Sequence, residues 1–416
     1  MRIMVNDYAG HPFQIQLSRS LAFAGHEVLH TYFAKNDTPK GRVECRPDDP
    51  PNFSVEPVSI VRQFKKHALL ARWLADVAFG KAIRARLNSF QPDIVLSSNM
   101  PLDAQRVLLN AAHALGARFV LWLQDVLSVG IEFGLRKKRI PGAALAGWYY
   151  ARLERKLLRE SDAIVCIAPA FRQLLGSWDI APAKTFVIEN WAPLDEVRPM
   201  PTVNSWAQQL GIAGKFCFLY SGTLGMKHKP ELLLALAKHF RGRPDVALVV
   251  VAQGAGADWL RAHTAEAGPS LLLLPFQPYE RLSEVLGAAH VLITILDANC
   301  GAFAVPSKSL AYLCAGRPQL VVAPHDNLAS ETVKRAGAGE VIVDDNPRTF
   351  LRVASRMMED SRALQQYAAN ARAYAERMFD IGRITQQFLE IFAFSRQEFS
   401  ARPAAIAADE RADATS

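Results

Sequence analysis

The chain reads as an α/β protein built from two doubly wound, parallel-sheet domains. Three observations predict this. Its 416 residues exceed what one typical core organises. Short apolar runs such as Ala247–Ala252 and Leu271–Leu274 recur between helical stretches. Such runs suit strands buried on both faces and are too short to span a bilayer. A strand–loop–helix–strand order begins at Met1 and restarts at Phe216.

Composition narrows the class. Half of the residues are hydrophobic, as in a globular chain. Cys45, Cys166, Cys217, Cys300 and Cys314 lie far apart without a CxxC. That argues against a disulfide framework or a zinc site and for a reducing compartment. Asn6 and Asp7 interrupt the first apolar run, so no signal region is expected and the chain is expected to be cytoplasmic. A net charge of +8 is mild for this length and admits an anionic ligand or surface without selecting one. No zinc-finger or RNA-recognition signature is present, so no nucleic-acid partner is expected.

In order, Met1–Val5 reads as a strand and Asn6–Pro12 as a loop. Phe13–Phe23 reads as a helix with Phe13, Leu17 and Leu21 on one face, and Glu27–Tyr32 as the next strand. The loop lacks GxGxxG, so it is not the dinucleotide fingerprint. Gly10 would let a ligand approach the backbone, and His11 either caps the helix or contacts that ligand. The proline-rich stretch Pro39–Pro57 reads as a loop, with Asp48 and Asp49 in a solvated turn. Arg62–Phe90 reads as a long helical region, strongly basic from Arg62 to Arg86 and carrying Trp73. It fits an interfacial membrane contact and equally a domain helix with a solvated basic face. Pro92–Ser98 and Arg118–Asp125 are further strands. Asp125 then lies past the carboxyl end of a central strand, where doubly wound sheets place ligand groups, or caps a helix. Glu132 is read in the same loop. A charged helix from Ile140 to Arg159 and strands at Asp162–Ile167 and Phe186–Trp191 complete this half.

The prolines from Pro193 to Pro201 mark a linker. Phe216–Thr223 is a strand ended by Gly222, and Leu224–Pro230 leads into the helix Glu231–Phe240. A glycine loop with clustered cations (Lys227, His228, Lys229) before a helix suits phosphate. Val246–Ala252 is followed by Gly254, Leu271–Leu274 by Phe276 and Gln277, and Val291–Leu296 by Asp297. Next, Ala302–Pro318 is read as a loop around Pro306 and a short helix opening near Ser307 and stopping at Gly316. Ser307 and Lys308 would add a hydroxyl and an ammonium to a helix start, which reads as a diphosphate grip or as an ordinary capped αβ unit. Strands Leu320–Ala323 and Gly339–Val343, one helical stretch Asn346–Phe379 and the helix Ile381–Phe394 follow. Ser400–Ser416 reads as disordered.

Gly25-His26-Glu27-Val28, Ile188-Glu189-Asn190-Trp191, Tyr220-Ser221-Gly222-Thr223-Leu224-Gly225 and Val305-Pro306-Ser307-Lys308 with Ala315-Gly316-Arg317-Pro318 occur in this order along nearly the whole chain. In that arrangement the chain resembles the GT-B glycosyltransferases of family 4, nearest to the WbuB-like or colanic-acid-type transferases of bacterial surface polysaccharide. The resemblance implies two Rossmann-like domains facing a central cleft, with the nucleotide sugar mainly on the second and the acceptor mainly on the first. It implies domains at 1–192 and 213–379, a linker at 193–212, a helix at 380–395 crossing back to the first domain, and a tail at 396–416. It implies retention of anomeric configuration, a saccharide or lipid-linked acceptor, and neither metal nor other cofactor. The expected catalytic residues are Asp125, His11 and Lys308. The expected donor-binding residues are Gly10, Gly222, Thr223, Lys227, His228, Gly254, Phe276, Gln277, Ser307, Lys308 and Glu331. The chain departs from the family where acids are usual, at Phe303 and Ala311, and where a histidine is usual, at Gln124. Asp297, Asn299 or Glu331 would then supply ribose and sugar contacts. Two other readings stand beside this one: a nucleotide-sugar 2-epimerase on the same fold, and a non-catalytic transferase-like scaffold.

Overall fold

The computed structural model describes residues 1–35, 41–60, 69–98, 100–137, 142–297 and 307–394. Among the described residues, packing divides the chain into two units, 1–189 with 381–394 and 190–380.

The first unit opens with β1 (Arg2–Asp7), α1 (Pro12–Phe23), β2 (Glu27–Phe33) and β3 (Phe53–Val58). It continues through α2 (Leu69–Phe90), β4 (Ile94–Ser98), α3 (Leu102–Ala114), β5 (Arg118–Leu123), α4 (Leu127–Lys137) and α5 (Ala143–Glu160). It then adds β6 (Ala163–Cys166), α6 (Pro169–Ser177) and β7 (Thr185–Val187). The seven strands are parallel in the order β3-β2-β1-β4-β5-β6-β7, so the sheet reverses direction between β1 and β4. Pro12 opens α1, where its missing N–H costs nothing, and Phe13, Leu17 and Leu21 are buried on its sheet face. A helix over 381–394 returns to this unit. Its Phe388 ring meets Trp122 of β5 at 4.9 Å, and Thr385 Oγ1 donates to Ser20 Oγ at 2.8 Å.

The second unit contains α7 (Ser205–Gln209), β8 (Phe216–Ser221), α8 (Pro230–His239), β9 (Val246–Val251), α9 (Ala255–Ala262), α10 (Thr264–Ala267) and β10 (Leu271–Leu274). It continues with α11 (Leu282–Gly287), β11 (Val291–Ile295), α12 (Lys308–Cys314), β12 (Gln319–Val322), α13 (Leu328–Ala336), β13 (Gly339–Ile342), α14 (Pro347–Glu359) and α15 (Ser361–Met378). Its six parallel strands run β10-β9-β8-β11-β12-β13, reversing direction between β8 and β11. Phe218, Leu248 and Ile293 on the sheet pack with Leu233 and Leu236 of α8 and Phe350 of α14 in one core.

Several sequence expectations change. The loop expected over Pro39–Pro57 contains β3; an edge strand tolerates Pro57 because its outer N–H row needs no partner. Asp49 is not in a solvated turn: its carboxylate accepts from Arg19 Nε at 2.8 Å, and both side chains are buried. Glu132 lies on α4, not in a loop. Residues 193–212 belong to the second unit. There Asn204 caps α7, and buried Trp206 donates to Gln277 at 3.2 Å, which ties this stretch to the unit's core instead of leaving it a free linker. The stretch Asn346–Phe379 is two helices, because Asp360 leaves helical geometry and its carboxylate caps α15. Residues 61–68, 298–306 and the expected tail 396–416 lie outside the described residues, and with them Asn299, Phe303 and the loop around Pro306.

Candidate functional site

In a parallel sheet all carboxyl ends lie on one edge, and a reversal of strand order parts the loops there into a crevice. Each unit places its chemistry-bearing residues at that edge.

In the second unit Gly222 follows β8, Gly254 follows β9, Phe276 and Gln277 follow β10, and Asp297 follows β11. Lys308 is the first residue of α12 and reaches back to the end of β8. Its Nζ donates to the Tyr220 hydroxyl and stands 3.7 Å from that ring's centre, and it lies 3.5 Å from the Thr223 carbonyl. The ammonium is partly buried; burial, and then the charge of Lys227, push its pKa down to about 7. Gly222 has φ +130°, and a Cβ there would lie 3.2 Å from Lys308 Cε. That φ favours glycine, and a side chain there would also press on the lysine. Tyr312, one turn along α12, fixes the same corner: its hydroxyl accepts from Ser221 N and donates to Ser221 O, both at 3.0 Å.

His228 is not one of the cations expected in this loop. Burial, then Lys308 and Lys227, push its pKa down to about 3, so the ring is neutral. Its Nδ1 accepts from Gly225 N at 2.9 Å, which places the ring proton on Nε2 as a donor. Lys229 is also withdrawn, paired with Asp297 at 3.1 Å and Asp345 at 2.8 Å. Asp297 is thereby spoken for as well. The exposed cation left in the loop is Lys227. The loop sits on the turn after β9: Gly256 N donates to Leu224 O at 2.8 Å, and Leu224 N to Gln253 O at 2.9 Å.

Gly222, Thr223, Lys227, His228, Gly254 and Lys308 therefore form one cluster. Ser307 adjoins it, exposed, with no hydrogen bond from its side chain to the start of α12. Phe276 and Gln277 share the edge two strands away, and the Gln277 side chain is taken up by Trp206 and by Pro275 O at 3.0 Å. Glu331 lies exposed in the first turn of α13. Among the described residues no hydrogen bond joins Phe276, Gln277 or Glu331 to the Lys308 cluster.

In the first unit Asp7 ends β1 and is fully buried. It accepts from Ala9 N at 3.1 Å and from His11 N, and lies 3.4 Å from His11 Nδ1. Burial lowers the pKa of His11, but the charge and hydrogen bond of Asp7, helped by Asp125, outweigh it and leave the ring above its ordinary value. His11 does not cap α1 through its side chain. Gly10 makes the turn with φ +78°, and Gly41 N donates to its carbonyl at 3.2 Å. Asp125 is exposed, just past β5. A carboxylate-held histidine beside a second, exposed carboxylate can accept a proton or hold a hydroxyl.

Sequence reasoning missed Asp7, Tyr220 and Tyr312. Asp7 is adjacent to the expected first strand, and a carboxylate four residues before His11 was the available signal. Nothing in an apolar strand run singles out Tyr220. Among the described residues there is no group of three or more His, Cys, Asp or Glu side chains that could hold a metal ion.

Residues 14–191 match the Glycosyl transferase 4-like domain, and residues 203–374 match Glycosyl transferases group 1. The chain belongs to the glycosyltransferases of the GT-B fold. Solved structures agree with that fold. Anabaena HepE, in complex with UDP and glucose, is 17% identical with a TM-score of 0.69, covering 94% of this chain and 99% of its own. Sucrose-phosphate synthase from Thermosynechococcus elongatus is 16% identical with a TM-score of 0.72, covering 96% and 100%. A glycosyltransferase from Rickettsia africae is 14% identical with a TM-score of 0.66, covering 95% and 98%. No curated protein sequence matches the chain. This glycosyltransferase has, among its described residues, no helix long and apolar enough to cross a membrane.

Proposed function

We propose that this glycosyltransferase moves a sugar from a nucleoside-diphosphate donor, held by the second unit, to a saccharide acceptor held by the first. The observation that carries the donor assignment is the Lys308 cluster. A lysine held against Tyr220 beside a positive-φ glycine, with Lys227 and the Nε2–H of His228 next to it, is a set of donors placed in advance for a diphosphate. Departure of the nucleoside diphosphate builds negative charge on its leaving oxygen, and these donors offset that charge without a metal. Thr223 and Ser307 add hydroxyls at its rim, Gly254 keeps the neighbouring turn close, and Phe276 and Gln277 flank the base through backbone groups. Glu331 is assigned to the ribose. UDP is the first nucleotide to test, because HepE binds it.

His11 and Asp125 hold the acceptor hydroxyl, with Gly10 shaping their loop. The likeness to family 4 supports retention, in which the leaving phosphate oxygen takes the hydroxyl proton. The Asp7–His11 pair favours a second reading, in which His11 takes that proton and the configuration inverts. The anomeric configuration of the product, read by NMR coupling constants, decides between them.

The acceptor is assigned as lipid-linked, in bacterial surface polysaccharide synthesis. Support comes from α5, where Leu145 is 70% and Trp148 61% exposed with Arg152 over the Trp148 ring. Aromatic and aliphatic side chains mixed with arginine suit an anionic bilayer surface. In the basic segment Arg62–Arg86, residues 62–68 lie outside the described residues; Lys81 and Arg84 on α2 are exposed, and Arg86 pairs with Glu56 at 2.6 Å.

Replacing Lys308 with Ala is expected to lower turnover by about a hundredfold, as losing one prepared donor does elsewhere. EDTA is expected to leave the wild-type rate unchanged. Full turnover without Lys308 overturns the diphosphate assignment, and loss of turnover in EDTA overturns the metal-free one.

A further inference from the structure

Beside Asp125 the first unit has a small, half-open cavity at the carboxyl edge of its sheet. Leu102 of α3, Leu123 of β5, Leu127 of α4 and Leu157 of α5 give it an apolar wall. Gln105 of α3 also lines it and is only 2% exposed. Its Oε1 accepts from Ser97 Oγ at 3.1 Å, while its Nε2 is buried with no hydrogen-bond partner. A buried amide N–H left unpaired costs about 1–3 kcal/mol, so its survival beside a cavity calls for an occupant. Glu154 is a second polar wall, but it already works for the fold: Leu127 N at 2.8 Å, Ser128 N at 3.0 Å and Ser128 Oγ all donate to its oxygens.

We propose that this cavity receives the acetamido group of a 2-acetamido-2-deoxy sugar in the acceptor, methyl against the leucines and carbonyl oxygen on Gln105 Nε2. The inference rests on the reading that the first unit binds the acceptor. The chemistry of the wall selects the group. The acetamido carbonyl oxygen only accepts, so it can pair the Gln105 amide N–H, while the group's own N–H faces the exposed Asp125 carboxylate in the same lining. A hydroxyl could pair Gln105 but would leave the leucine wall uncovered. A deoxy methyl would fill the apolar part and leave Gln105 unpaired. Gln105 is thus a specificity residue, and Asp125 at the same cavity holds the sugar's polar face.

Saturation-transfer NMR on the whole chain, with the methyl glycosides of N-acetylglucosamine, glucosamine and glucose, tests this. The strongest saturation is expected at the acetyl methyl, with the other two glycosides at least about tenfold weaker, because only the acetamido group pairs Gln105 and covers the leucine wall together. Gln105→Met keeps the length and removes the donor; it should weaken the acetamido glycoside about tenfold and leave the glucoside unchanged. Leu123→Phe, which fills the cavity without touching Gln105's bond to Ser97, should remove the acetyl-methyl signal. Thermal unfolding shows which variants are folded. Equal binding of the three glycosides overturns the proposal, as does saturation of ring protons without the acetyl methyl, the mark of a cavity that holds only water. UDP binding, followed separately, keeps the two readings apart: equal glycoside binding with intact UDP binding sinks this inference alone.

Discussion

At the scale of single residues the two candidate clusters have opposite proton requirements. Lys308 must be an ammonium to meet a diphosphate, and burial with Lys227 has brought its pKa down to about 7. The charge is complete below that value and is lost as pH rises through it. His11 must be neutral to accept from a hydroxyl, and Asp7 and Asp125 hold its pKa above the ordinary histidine value against burial. Its acceptor capacity is present above that raised value and is lost as pH falls through it. The expected kcat/KM profile is a bell that falls on the alkaline side through about 7 with Lys308 and on the acid side through the raised His11 value, since kcat/KM reports the free enzyme's groups. Lys308→Arg should extend the alkaline side, and His11→Gln should flatten the acid side, with a loss in kcat of about a hundredfold or more if His11 takes the proton and a smaller one if the phosphate oxygen does. A flat profile across the neutral range would sink both assignments. Lys308 was legible in the sequence because a lysine after a proline loop and before an apolar helix is a recognisable pattern. The neutrality of His228 and the burial of Asp49 were not, because each depends on partners far along the chain, Lys308 and Arg19.

At the scale of elements, the donor cluster depends on two loops pressed together without side chains between them. A Cβ on Gly256 would come within 2.8 Å of the Leu224 carbonyl and 2.9 Å of the Gly225 carbonyl. Both neighbours are backbone, so the loop carrying Thr223, Lys227 and His228 must move. Gly256→Ala is therefore expected to cost about 1–3 kcal/mol as an overpacking change. It should also weaken nucleotide binding although it replaces no donor. Unchanged UDP affinity in a destabilised variant, read by calorimetry and thermal unfolding, would show that the loop position does not matter. Elements with a strong period were legible: Phe13, Leu17 and Leu21 mark α1, and continuous apolar runs mark β8, β9 and β11. The edge strand β3 was not, since its alternation is weak and Pro57 argues against a strand. The break between α14 and α15 was also hidden, because Asp360 ends one helix and caps the next in a stretch that is polar throughout.

At the scale of the molecule the first unit is discontinuous in sequence. Its sheet is complete by Val187, yet its packing is finished by a helix that arrives after the whole second unit. That helix contributes Ile384, Phe388 and Phe392, all buried, with Phe388 against Trp122, which in turn meets Phe13 of α1 at 5.5 Å. The two sheets were legible because strand, loop and helix recur in one order, whereas composition alone gives no hint that the last helix belongs to the first sheet; only the family resemblance carried that. Removing one buried Phe costs about 3–5 kcal/mol, a large share of a domain's net stability. A chain cut after Asp380 loses all three side chains at once but leaves residues 190–380 whole. It should melt in two separate steps, the earlier one from the first unit. UDP should still raise the later step, because the Lys308 cluster is built entirely from β8, α12 and the loops between them. A single transition that UDP no longer moves would mean that the nucleotide site needs the first unit to form.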